Sequence, residues 1–143
     1  MALLSEIAGR LLRLPAPATR DVAVEPDQRV TMNDGVVLLA DRYVPRGAPP
    51  SPTVLIRSPY GRSGAWGFMF GRLIAERGLQ VVVQSIRGTF GSGGRLDPFN
   101  EREDGLTTLG WLREQPWHDG PVGMIGPSYL GLVQWAVAPE AEA

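Results

Sequence analysis

The sequence predicts an α/β protein, an N-terminal hairpin followed by a parallel βαβαβα run, and three observations lead there. Asn33-Asp34-Gly35 separates two apolar runs, residues 29–32 and 36–40, and an Asp-Gly pair so placed is a strong hairpin signal. Residues 53–56, 79–83 and 122–126 are apolar without alternation, as expected of strands buried on both faces of a parallel sheet. Helix-patterned segments lie between these strands, and strand–helix–strand units in one sheet cross over right-handed.

A chain of 143 residues fits one domain, and at that size folding buries about two-thirds of the unfolded surface. Hydrophobic residues at 43% and charged ones at 20% are ordinary globular usage, which excludes a disordered chain. The net charge is −1 with both signs mixed along the sequence, so nothing gathers the positive charge that nucleic-acid binding needs. With no cysteine there is no disulfide, thiolate nucleophile or cysteine-bound zinc, and the single histidine, His118, rules out a histidine-rich metal site. No cofactor is expected. No apolar run approaches the roughly 20 residues of a membrane span, and a cytoplasmic protein without membrane contact is expected.

The elements follow in order. Leu3, Ile7, Leu11 and Leu14 recur at helical spacing, so residues 1–14 form a short amphipathic helix whose apolar stripe packs on its own domain. Glu6, Arg10 and Arg13 interrupt any secretory core. Residues 15–28, rich in proline and charge, connect this helix to the sheet; residues 1–27 are thus an N-terminal appendage and 28–143 the folded domain. The hairpin's two-residue form requires positive φ at both central turn positions. Its second strand runs on through Tyr43 and Val44 to Pro45, and a proline-rich loop fills 45–52.

A helix over 65–77 presents Trp66, Phe70, Leu73 and Ile74, with Gly78 as its C-cap. A second, over 101–115, opens on acidic residues that suit a helix N-terminus and stops before Pro116. After Ser128, residues 129–138 are apolar nearly all round and read as a buried helix. Trp111, Trp117 and Trp135 are expected to pack in the core or close its edges.

Chemistry concentrates at Gly126-Pro127-Ser128-Tyr129-Leu130-Gly131. The pattern is G-x-S-x-x-G, one residue longer than the usual G-x-S-x-G, and it stands where a nucleophile elbow requires, after a strand and before a helix. Such a turn exposes the serine Oγ, while the helix N-terminus brings positive potential and the Tyr129 N–H. A second oxyanion donor would come from the loop after an earlier strand, here residues 57–61. Taken alone, Tyr60 in that loop reads as a surface tyrosine. The glycines of 88–94 match neither G-x-G-x-x-G nor the Walker pattern, so nucleotide binding has no support.

From about residue 28 to 138 the chain resembles the X-Pro dipeptidyl-peptidase and cocaine-esterase (CocE/NonD) serine hydrolases. Five motifs in order bear the resemblance: 32–43, Arg57-Ser58-Pro59-Tyr60-Gly61, 87–94, 111–117, and 122 through the elbow. It implies an α/β-hydrolase fold continuing only past the nucleophile elbow, with Ser128 as nucleophile and the Tyr129 N–H and Tyr60 hydroxyl as oxyanion donors. It implies ester, amide or short-peptide substrates, and makes residues 87–94 a scaffold loop near the site's rim.

In such hydrolases the chain order is Ser, then Asp or Glu, then His. After Ser128 come Glu140 and Glu142 but no aspartate and no histidine. His118 cannot substitute, because a strand separates it from Ser128 by about 16 Å. A helical cap and a C-terminal β-sandwich, also implied by the resemblance, have no counterpart here. The expectation is therefore a hydrolase fragment impaired in isolation, with an exposed sheet edge that a second copy or another chain covers. The alternative is a non-catalytic interaction module pairing with another chain.

Overall fold

The computed structural model describes residues 2–48 and 51–140. Helix α1 (Ala2–Leu11) leads to strands β1 (Val22–Thr31), β2 (Val37–Pro45) and β3 (Thr53–Ser58). A composite helix follows: α2 (Gly64–Trp66), a π-helical turn (Gly67–Arg72) and α3 (Leu73–Ala75). Then come β4 (Gln80–Ser85), a 3₁₀ turn (Pro98–Asn100), α4 (Glu101–Arg113), β5 (Val122–Met124) and α5 (Tyr129–Val137).

One five-stranded sheet has the order β1-β2-β4-β3-β5. β1 and β2 pair antiparallel, as do β2 and β4, whereas β3 lies parallel to both β4 and β5. The unbroken apolar runs of β3 and β4 are explained by covering on both faces. The third run forms only the short edge strand β5, with Gly123 exposed and Val122 and Met124 half-buried, so the expectation of double covering fails there. Val54, Ile56, Val81 and Val83 pack with Trp66, Phe70 and Ile74 on one side. Leu55 and Val82 point to the other, against Leu109 and Leu112 of α4 and Val137 of α5. The predicted α/β layout is thus the one formed.

Several local expectations are corrected. The hairpin loop is the three-residue form: the Met32 amide donates to the Val36 carbonyl at 2.7 Å and Gly35 (φ 83°) supplies the positive φ that Asp34 does not adopt. Residues 22–28 belong to β1 rather than to a connector; Pro26 is tolerated because β1 is an edge strand with its register shift between Glu25 and Gln28.

α1 turns its leucines outward, with Leu3 71% and Leu11 81% exposed, while Ser5 and Gly9 face the domain. The reason is space, since a Cβ on Gly9 would lie 2.9 Å from the Arg77 guanidinium. α5 buries only the face of Leu130, Val133 and Val137; Trp135 stands 80% exposed instead of packing in the core. The 65–77 helix is interrupted by its π turn, where Gly67 and Gly71 press on Tyr43; Cβ atoms there would meet its ring or hydroxyl at 2.5 and 2.1 Å. Among the described residues no helix is long and apolar enough to cross a membrane.

Candidate active site

The site gathers where β3, β4 and β5 end. β5 passes through Ile125, Gly126 and Pro127 to Ser128, which is exposed and has φ 56° and ψ −124°, a conformation non-glycine residues seldom adopt. The surrounding bonds fix it. The Leu130 amide donates to Pro127 O at 3.1 Å, and those of Gly131 and Leu132 donate to Ser128 O at 2.8 and 3.0 Å. The Gln134 side-chain amide donates to the carbonyls of Gly126 (3.1 Å) and Leu130 (2.8 Å), clamping strand end to helix. Tyr129 opens α5, where helix geometry offers its N–H no carbonyl.

The departure from G-x-S-x-G has a structural counterpart. Leu130 occupies the position two after the serine and is 1% exposed, packed directly over Gly126. A Cβ on Gly126 would fall 2.4 Å from the Leu130 Cβ, whereas one on Gly131 would meet only the Gly126 carbonyl at 3.5 Å. The strict requirement for glycine therefore sits before the serine.

Tyr60 follows β3, the strand that pairs parallel with β5 from Thr53↔Val122 to Leu55↔Met124, so Tyr60 and Ser128 both lie beyond the C-terminal ends of adjacent strands. The Tyr60 amide donates to Ser58 Oγ at 3.0 Å, and its ring, 40% exposed, stacks on Trp66 at 4.7 Å. Trp66 stacks in turn on Phe70 at 5.1 Å. Phe90, at the tip of the glycine-rich loop, lies over Gly61, within 3.2 Å of where a Cβ would be. That loop is scaffolding: Ser92 Oγ donates to Ser85 O (2.7 Å) and accepts from the Leu39 amide (2.9 Å). Arg87 at its base forks between Asp104 and Asp34, both at 2.7 Å.

His118 sits half-buried in the turn before β5, its amide donating to Gln115 O at 3.0 Å. It lines a groove of about 550 Å³ with Val122, Met124, Gln134 and Val137. The three-residue strand separates it from the serine turn.

Sequence reasoning missed the charges beneath the elbow. Glu101, the first residue of α4, is 2% exposed and Arg57, the last but one of β3, is fully buried. They pair at 2.8 Å, and Arg57 Nε also donates to Gln84 at 2.8 Å. The Tyr129 hydroxyl donates to Glu101 Oε1 at 2.8 Å. Burial first, then donation to Glu101, holds that phenol well above its ordinary 10.0. Burial pushes the Arg57 guanidinium down, with Glu101 opposing. A signal existed in the sequence: an arginine that directly follows Val54-Leu55-Ile56 in a strand buried on both faces must have a buried partner.

A mixed sheet whose parallel strand β5 runs into an exposed, strained serine at the head of a helix is the layout of an α/β-hydrolase fold. Residues 34–143 match the X-Pro dipeptidyl-peptidase (S15) family, and the chain belongs to it. It is 40% identical over 121 residues to the cocaine esterase of Rhodococcus sp. (strain MB1 Bresler), covering 81% of this chain and 21% of that protein. Among solved structures, a CocE/NonD family hydrolase from Staphylococcus aureus superposes with a TM-score of 0.70 at 27% identity, over 82% of this chain and 25% of that one. An α-amino acid ester hydrolase gives 0.68 at 26% identity, over 86% of this chain and 24% of its own. The chain thus spans about a fifth to a quarter of the length of these relatives.

Proposed function

We propose that this chain holds the nucleophile and oxyanion site of a serine hydrolase acting on esters or amides, short peptides included, through an acyl-enzyme on Ser128. The observation that supports it most is the Ser128 backbone, strained and exposed at the start of α5. In this mechanism Oγ attacks the carbonyl carbon as a base takes its proton. The resulting oxyanion accepts from the Tyr129 N–H and the Tyr60 hydroxyl. Collapse expels the alcohol or amine with that proton, and water later releases the acid.

One oxyanion donor is worth on the order of 10²–10³ in rate, the loss expected for Tyr60→Phe wherever the complete site operates. No histidine follows Ser128. The base must therefore come from outside these residues, and the chain alone reacts slowly in both steps. Deacylation also needs a base, so an activated ester should leave a persistent acyl group. Mass spectrometry after incubation with p-nitrophenyl acetate should show one acetyl, mapped to Ser128 and absent in Ser128→Ala; a folded chain that acquires none counts against the reading.

A second reading, a non-catalytic module that pairs with another polypeptide, draws on one observation. Ile125, just past the edge strand β5, is 44% exposed, and Leu132 and Trp135 of α5 are 45% and 80% exposed. Concentration-dependent sedimentation without any acylation would favour it.

A further inference from the structure

We propose that Glu101 is a positioning residue, the middle of a buried Arg57–Glu101–Tyr129 tether that holds the Tyr129 amide in place beside Ser128. The inference rests on the reading of Ser128 as nucleophile, but its structural content can be tested without turnover. An unusual serine conformation persists only where its surroundings over-determine it. Gln134 ties α5 to the strand end and Leu130 packs with Val54 and Ile56, but neither holds the Tyr129 side chain.

The tether does. Tyr129 is attached to the elbow by its backbone and to Glu101 by its hydroxyl, at 2.8 Å. Glu101 cannot yield, because its other oxygen faces Arg57 Nη1 at 2.8 Å and Arg57 also donates to the Glu101 carbonyl at 3.0 Å. Arg57 is in turn fixed by Gln84, whose amide donates to Thr108 at 3.0 Å. The lever therefore ends in three elements: β3, β4 and α4. Counter-charge for Arg57 alone would not require the phenol. Nor does α4 need Glu101 buried to satisfy its helix dipole, because Glu103 does that from solvent.

The test is residue-resolved hydrogen exchange on the full chain. Tyr129→Phe removes only the hydroxyl and leaves the Arg57–Glu101 pair intact. A hydrogen bond to a charged acceptor is lost, so exchange at the 130–132 amides should accelerate about tenfold to a hundredfold. Amides of β3 and β4 should not change. Where wild-type chain reacts with a fluorophosphonate, the same variant should lower the inactivation rate and leave KI unchanged, a split that loss of general stability would not produce.

Glu101→Gln keeps an acceptor for the phenol and strips Arg57 of its counter-charge. It should raise exchange across the sheet, or fail to fold, which is why Tyr129→Phe is the deciding variant. Unchanged exchange at 130–132 in Tyr129→Phe overturns the proposal. A chain that never reacts with fluorophosphonate yet shows the elbow-specific acceleration keeps the tether and loses the hydrolase reading. Reaction at Ser128 with unaltered exchange does the reverse.

Discussion

Gly126→Ala tests the elbow's geometry most sharply. Gly126 has φ 135°, and an added Cβ would lie 2.4 Å from the Leu130 Cβ and 2.6 Å from its Cδ2. Leu130 cannot withdraw, being 1% exposed and packed with Val54 and Ile56. Backbone strain at such a φ costs about 1–3 kcal/mol, and overpacking about 1–3 kcal/mol more. The sum, roughly 2–6 kcal/mol, is a large share of the 5–15 kcal/mol typical of a domain. With a urea m-value of about 2 kcal/mol/M, the midpoint should fall by roughly 1–3 M at unchanged m.

Urea unfolding followed by circular dichroism measures this. Gly123→Ala, where nothing lies within 4 Å of the new Cβ, is the control, and should stay within about 0.5 kcal/mol of wild type. Leu130→Ala should not rescue Gly126→Ala, because alanine keeps the Cβ that clashes. A midpoint for Gly126→Ala within about 0.25 M of wild type would refute the packing argument.

Two glycines of α4 should respond in opposite directions. Gly105→Ala drives a Cβ to 2.5 Å from the stiff Val137 Cγ1 and should destabilise, by about 1–3 kcal/mol. Gly110→Ala meets nothing within 4 Å and should gain about 0.5–1 kcal/mol by helix propensity; thermal unfolding separates the two. Burial first, then Asp41, raises the Tyr43 phenol from its ordinary 10.0 to about 12. A raised folded pKa means the unfolded chain loses its proton first, so stability is full below about pH 10 and declines through about pH 12. Tyr43→Phe, which gives up the 2.7 Å bond to Arg62 O, should flatten that alkaline decline in unfolding measured against pH.

Much of this was legible in the sequence because some signals are local. Two of the unbroken apolar runs became the doubly covered strands β3 and β4, the third became the half-exposed edge strand β5, and Gly126 through Gly131 could be read as a turn from strand to helix. Where the sequence misled, a partner distant in the chain decided. The α1 stripe gives a helix its period, but not the neighbour it meets, and Arg77 admits only the face of Ser5 and Gly9. The π turn arises because Gly67 and Gly71 accommodate Tyr43, more than twenty positions earlier. Glu101 looked like an ordinary acidic N-terminus. Only its burial against Arg57, 44 positions away, reveals another role.

The most direct test of the proposal that Ser128 is a nucleophile whose base lies outside these residues is fluorophosphonate labelling of wild type and Ser128→Ala across an imidazole series. Wild type should label slowly, at a rate that rises with imidazole and at a site that maps to Ser128, with no labelling of the variant. Equal labelling of the two folded proteins at every imidazole concentration would contradict it.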